Sequence, residues 1–172
     1  MKVLVAVVMV AGASVAMAQH HHKQHGPGPY SGMQTRIVKA LSDQQIADLQ
    51  AGRGMGLALA AELNGYPGPM HVLELADGLG LTNEQRGRVQ ALYSSMKSEA
   101  VSTGEKLIAD ETALDRAFKE RTISPQKLAD LSAAIGRTQG ELRAVHLKYH
   151  LTTAELLTAE QLQRYAKLRG YQ

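Results

Sequence analysis

The chemistry this sequence offers is concentrated in its seven histidines. His146 and His150 stand four residues apart in Val145-His146-Leu147-Lys148-Tyr149-His150-Leu151. A helix through that stretch puts both imidazoles on one side, one turn apart. Such a pair offers a transition-metal ion two nitrogen ligands from one rigid element. His71 and Glu74, three apart near Pro69, share a face of a second, shorter helix and add a nitrogen and an oxygen. The predicted internal site is therefore His71, Glu74, His146 and His150. Zn(II), Ni(II), Co(II) and Cu(II) all tolerate these donors, and affinity order alone does not choose between them. Met70 adds a thioether that matters only for soft copper. A plainer reading stays open, with His146 and His150 filling an amphipathic outer face and His71 standing near a helix start.

A looser set lies in the tail, at His20, His21, His22 and His25. If a leader is cleaved after Ala18, His21 becomes the third residue of the mature chain. A free amine, two backbone amides and a third-position imidazole suit the square-planar geometry of Cu(II) or Ni(II). Cyclisation of Gln19 would remove that amine, and the tail also reads simply as a solubilising segment.

The internal pair rides on an unbroken helical rhythm. Apolar or small residues recur at Leu128, Leu131, Ile135, Thr138, Leu142, Val145, Tyr149, Thr152 and Leu156, in gaps alternating three and four. That stripe predicts a long helix packed on a second one. Leu147, Leu151 and Ala154 form a further apolar row on the outer side, available to the 69–77 helix or to another subunit. The partner helix is predicted from Thr82 to about Glu120, with Val89, Leu92, Met96, Ala100, Leu107, Leu114 and Phe118 as its buried stripe. A turn over 121–125, capped by Ser124 with Pro125 at the first helical position, makes the two arms antiparallel. In that register His150 lies opposite residue 95 and His146 opposite residue 99. A 69–77 helix folding back from Gly78–Gly80 would bring His71 to within roughly 5 Å of axial rise of His150.

Shorter elements flank this hairpin over 82–156. Thr35–Leu41 reads as a short helical stretch. Ile46, Leu49, Met55, Leu59 and Leu63 carry a helical pattern in which Gly52, Gly56 and Ala60 leave one side nearly bare. Gly52-Arg53-Gly54-Met55-Gly56 lacks the lysine and hydroxyl of a phosphate loop, so close packing or a kink explains it better. Asn64-Gly65-Tyr66-Pro67-Gly68-Pro69 breaks the helix. Leu-Thr-x-x-Gln occurs at 81–85 and 157–161, with Leu-Ser-x-x-Gln at 41–45. Each is a capping box, with the leucine before the cap set to pack on Ile46, the Arg86 stem or Leu162. The fold class is all-α: a long antiparallel helical hairpin with shorter flanking helices, expected as a hairpin dimer.

The first 18 residues read as a cleaved secretory signal: Lys2, the apolar run Val3–Val10 and the small-x-small Ala16-Met17-Ala18. Residues 19–34 read as a disordered His-rich tail and 35–172 as one helical domain. Export from a Gram-negative cell would place the chain in the periplasm. There is no cysteine, which excludes disulfides and thiolate metal sites. Net charge is +3, spread among acids, with one Phe, six Tyr and no Trp, so nucleic acid is not an expected partner. The absence of Gly-x-Ser-x-Gly and His-Glu-x-x-His argues against an enzyme.

A leader, a helical chain of this size and paired Leu-Thr-x-x-Gln boxes around a long hairpin resemble the Spy/CpxP-like periplasmic proteins, including metal-responsive relatives of the CnrX and ZraP kind. The resemblance covers roughly 41–170. It implies curved antiparallel dimers of hairpins, some acting as ATP-independent chaperones and others binding Ni, Co, Cu or Zn. In the CnrX-like sensors a histidine pair one turn apart helps hold the metal. His146 and His150 match that pair in type and spacing, although here the pair lies on the second long helix. The implied function is periplasmic metal binding or sensing, with a homodimer and a membrane-anchored regulator as partners. The alternative is a chaperone that holds unfolded chains on the hairpin surface, helped by Lys97, Lys106, Arg116, Lys119 and Arg121.

Overall fold

A computed structural model of the chain describes residues 26–171. The leader segment 1–18 and the tail histidines His20, His21, His22 and His25 lie outside the described residues. The chain divides into two units, Met1–Gly32 and Met33–Gln172. The described part of the first is a turn in which the Ser31 N–H donates to the Gly28 carbonyl.

The second unit is all-helical among the described residues. A one-turn 3-10 helix, Met33–Thr35, precedes α1 (Asp43–Gln50), α2 (Leu59–Glu62), α3 (Pro69–Glu74), α4 (Ala76–Leu79), α5 (Asn83–Lys119), α6 (Pro125–Ala154) and α7 (Ala159–Arg169). No described helix is long and apolar enough to cross a membrane. The helix starts follow from local chemistry. Ser42, Thr82 and Thr158 each accept from the third residue's N–H, while Gln45, Gln85 and Gln161 reach back to the cap N–H. The leucines before these caps, Leu41, Leu81 and Leu157, are all buried. The Thr82 and Thr158 boxes also meet each other. The Gln85 and Gln161 amides exchange hydrogen bonds of 2.9 and 3.0 Å, and Gln85 donates to the Leu156 carbonyl as well.

The two long helices, α5 and α6, pack together. Asp110 accepts from Thr138, Lys106 pairs with Glu141, and Glu99 accepts from both Lys148 and Tyr149. Around them lie two apolar cores. Val38, Leu41, Leu49, Ala100, Leu107, Ile135 and Leu142 make one. Val72, Ala76, Leu79, Leu81, Val89, Leu157 and Tyr165 make the other. Complete burial of side chains such as Val72 and Val89 contributes about 1.5–3 kcal/mol each. Met96 on α5, and His146 and His150 on α6, fall in sequence between the residues of the two cores.

The structure differs from the sequence expectations in five places. The predicted helix over 35–41 is only Met33–Thr35 followed by turns. The segment instead contributes Val38 and Leu41 to a core. The pattern over 46–63 is split after Gln50, because Gly52, Met55 and Gly56 adopt left-handed φ of 66°, 43° and 79°. At Gly52 the chain presses on α5, where a Cβ would stand 3.0 Å from the Lys97 carbonyl oxygen. The predicted 69–77 helix is two pieces, broken at Leu75 and ended by left-handed Gly80. At the far end of α5 the buried residue is Ala117, 2 % exposed, while Phe118 is 53 % exposed. The stripe has drifted by one residue, as a 3.6-residue helix does along a straight seam. The outer row of α6 packs less than expected, with Leu151 exposed, and the histidine side of the helix takes the burial.

Candidate functional site

α3 and α2 both pack against α6, on the face that carries the histidines. This leaves a cavity of about 540 Å³. Its walls are the 51–59 loop, Glu62, Gly68–His71, Tyr93, Met96 and Lys97 of α5, and His146 and His150 of α6. Glycine permits the closest approaches. A Cβ on Gly68 would lie 2.8 Å from His150 Nε2, and one on Gly54 would lie 3.8 Å from the His146 ring.

The carboxylate of Glu62 is the electrostatic centre of the site. It is buried, and it gathers groups from three helices and two loops. Oε1 accepts from the Tyr165 hydroxyl and, at 3.2 Å, from the Tyr171 hydroxyl, while Oε2 accepts from the Gly68 N–H at 3.2 Å. His71 Nδ1 stands 3.3 Å from Oε1, His150 Nδ1 3.7 Å from Oε2, and Arg169 Nε 3.8 Å from Oε1. Burial by itself would raise the Glu62 carboxyl. The His71 imidazole, the Tyr165 hydroxyl and the Gly68 N–H outweigh burial and bring it down to about 2. Burial, and then the Glu62 charge, push the Tyr165 phenol well above the ordinary tyrosine range.

The two rings beside Glu62 are oriented by their Nδ1 atoms. His150 Nδ1 is 2.7 Å from the Tyr66 carbonyl oxygen, which can only accept, so Nδ1 carries a proton. His71 Nδ1 is buried and makes no hydrogen bond, yet it faces a carboxylate across 3.3 Å. That favours a proton on this Nδ1 as well. A ring whose Nδ1–H is fixed by a carbonyl or carboxylate, with Nε2 left unprotonated, is the arrangement found behind histidine metal ligands. His146 completes the group. It is 3 % exposed, and its Nε2 is buried without a hydrogen-bond partner. Burial, and then the neighbouring His150, lower its pKa, so the ring is neutral at pH 7.

Of the four internal residues predicted from sequence, the structure brings His71, His146 and His150 to one cavity. It does not bring Glu74, which is exposed and outside the cavity wall. α3 is only six residues long, and three residues turn a helix about 60° short of a full circle. With His71 toward the cavity and Val72 in the core, Glu74 faces outward. Glu62 supplies the carboxylate instead. Its signal in the sequence was an acid set between Ala61 and Leu63 directly before a Gly/Pro break. No group of three or more His, Asp or Glu side chains with metal-holding geometry occurs among the described residues. The donors present nevertheless fit a metal in type: the buried, unpartnered Nε2 of His146, two further rings whose Nδ1 atoms face oxygen acceptors, and a carboxylate behind them.

Comparison of the chain with protein-family models, curated proteins and solved structures finds no match.

Proposed function

We propose that this chain is an exported metal-binding or metal-sensing protein of the Spy/CpxP-like kind. His71, His146 and His150 would hold a transition-metal ion at the cavity, with Glu62 orienting the rings. The observation that carries this reading is the placement of His71 and His150 on either side of one buried carboxylate, next to the orphaned Nε2 of His146. An ion there would supply a positive charge and a cross-link from α3 to α6. The protein's own groups would do the rest. Tyr66 holds the His150 proton at Nδ1, Glu62 polarises both rings, and Gly68 and Gly54 keep the approach open. Because the 64–71 segment meets α6 at these rings, occupancy would be reported as a change in its order. A regulator or a second copy could read that change on an antiparallel α5–α6 hairpin.

The test is metal uptake by the full chain in which His20, His21, His22 and His25 are alanine, compared with the same chain also carrying His146→Ala and His150→Ala. The proposal expects one ion per chain in the first and loss of about tenfold or more of affinity in the second. Equal uptake by both would remove the internal site.

A second reading, holding of unfolded chains, draws on Met55, Leu59 and Met70, which are exposed and border the cavity. Lys106 and Arg116, two of the basic residues that reading would use, are paired with Glu141 and Glu120. Suppression of aggregation that is unchanged by metal and by the histidine substitutions would favour it.

A further inference from the structure

Apolar and basic side chains stand together where α5 passes into α6. Phe118, the chain's one phenylalanine, is exposed next to buried Ala117. Leu128, at the start of α6, is exposed as well. The left-handed residue that closes α5 is Arg121, with φ of 56°, whereas α4 and α7 put Gly80 and Gly170 in that conformation. A side chain there strains the backbone where glycine would not, so the cation is held at the turn against local preference.

The charges at this end are uneven. The Glu120 carboxylate is taken by Arg116, and Asp115 by Lys39 at 3.5 Å. Asp130 accepts from the Gln126 amide. Lys119, Arg121 and Lys127 are exposed and have no ion pair among the described residues. Lys127 donates only across the turn, to Thr122 Oγ1 at 3.2 Å. The Lys39 contact also draws the segment before α1 to this end, and with it Ile37, which is 81 % exposed.

Exposed apolar side chains among unpaired cations suit an anionic lipid layer. The apolar groups enter the acyl boundary, while long basic side chains keep their charges at the headgroups. A folded protein partner would need a pocket or groove to match, whereas a lipid layer accepts single side chains as the short 120–124 turn presents them. We infer that the α5–α6 turn is a peripheral docking surface for a membrane rich in anionic lipid. Phe118, Leu128 and Ile37 enter the interface, and Lys119, Arg121 and Lys127 meet the headgroup phosphates. Phe118 lies roughly 30 Å along α5 from Lys97 in the cavity wall, so this surface does not depend on the metal-binding reading.

The chain has no tryptophan, so Phe118→Trp gives a single reporter at the turn, and Leu63→Trp gives a control at the exposed end of α2. Each full chain is titrated, without added metal, with vesicles of phosphatidylcholine alone and with vesicles of phosphatidylcholine and phosphatidylglycerol in equal parts. The inference expects Phe118→Trp emission to move to shorter wavelength on the anionic vesicles only, and to return as salt is raised. Leu63→Trp emission should stay where it is. Adding Arg121→Gly to the Phe118→Trp chain relieves the left-handed strain, so resistance to urea should be kept or raised while binding weakens about fivefold. Adding Lys119→Gln and Lys127→Gln as well should bring the loss to about a hundredfold. The same shift for Leu63→Trp, no difference between the two lipid compositions, or charge variants that bind like the parent would overturn the inference. A shift that needs no vesicles and grows with protein concentration would also overturn it, and would assign the turn to contact with a second copy.

Discussion

Replacing Glu62 by glutamine probes the group on which the site's geometry converges. The side chain keeps its shape and can still accept from Tyr165, but the charge is lost. With the carboxyl brought from 4.5 down to about 2 in the folded chain, the charged form contributes stability that is fully present above pH 4.5. That contribution is lost as pH falls through 4.5 toward 2. The shift corresponds to about 3 kcal/mol, or about 2 kcal/mol once solvent in the adjoining cavity is allowed for. The assay is urea unfolding followed by far-ultraviolet circular dichroism, on parent and Glu62→Gln chains, at pH 7, 5, 4 and 3. At pH 7 the variant should be less stable by about 2–3 kcal/mol. The gap should close as pH drops below 4.5, because the parent loses there what the variant never had. His146 charges in both chains, so its contribution cancels from the difference. A gap that stays constant from pH 7 to pH 3 would refute the assignment of a charged, hydrogen-bonded Glu62.

Other outcomes follow from single contacts. Gly68→Ala places a methyl group 2.8 Å from His150 Nε2 on a backbone that alanine tolerates. It should cost about 1–3 kcal/mol by thermal melting and displace the His150 ring signals. His146 should titrate below the ordinary imidazole value in proton NMR, since burial and then His150 lower it. Because the unfolded chain then binds the proton first, stability should fall as pH drops below 6.5 toward the folded value and level off beneath it; His146→Phe should remove that slope. Gln85→Ala breaks a capping box, the amide pair with Gln161 and a bond to Leu156, whereas Gln45→Ala breaks its capping box alone. Urea midpoints should show Gln85→Ala the more damaging by about 1 kcal/mol.

What the sequence made legible was local or periodic. Ser42, Thr82 and Thr158 each fix a helix start with residues three apart, and the stripe from Leu128 to Leu156 marks the packed side of α6 except at Leu128, which is exposed. Losses came where a non-local contact decides. The apolar pattern over 46–63 continues through Gly52, and only pressure against the Lys97 backbone shows why the chain turns left-handed there. Phe118 fits the stripe of α5 by number, but a one-residue drift exposes it and buries Ala117. The spacing of His146 and His150 was readable, and His71 joined them. Glu62 was not, because its partners Tyr165 and Tyr171 lie more than a hundred residues away. Glu74 was chosen for sharing a face with His71, but with Val72 in the core the roughly 60° between positions three apart is enough to leave Glu74 exposed. The meeting of Gln85 with Gln161 was equally hidden, since each glutamine is already explained by its own cap.

The most direct measurement is a long-range proton–nitrogen NMR spectrum of the histidine rings in the chain whose four tail histidines are alanine, recorded before and after one equivalent of Zn(II). The account predicts Nδ1-protonated rings for His71 and His150 in the metal-free spectrum, followed by a shift of ring nitrogens at His71, His146 and His150 on addition. Rings protonated at Nε2 before addition, or three sets of ring signals untouched by the ion, would contradict it.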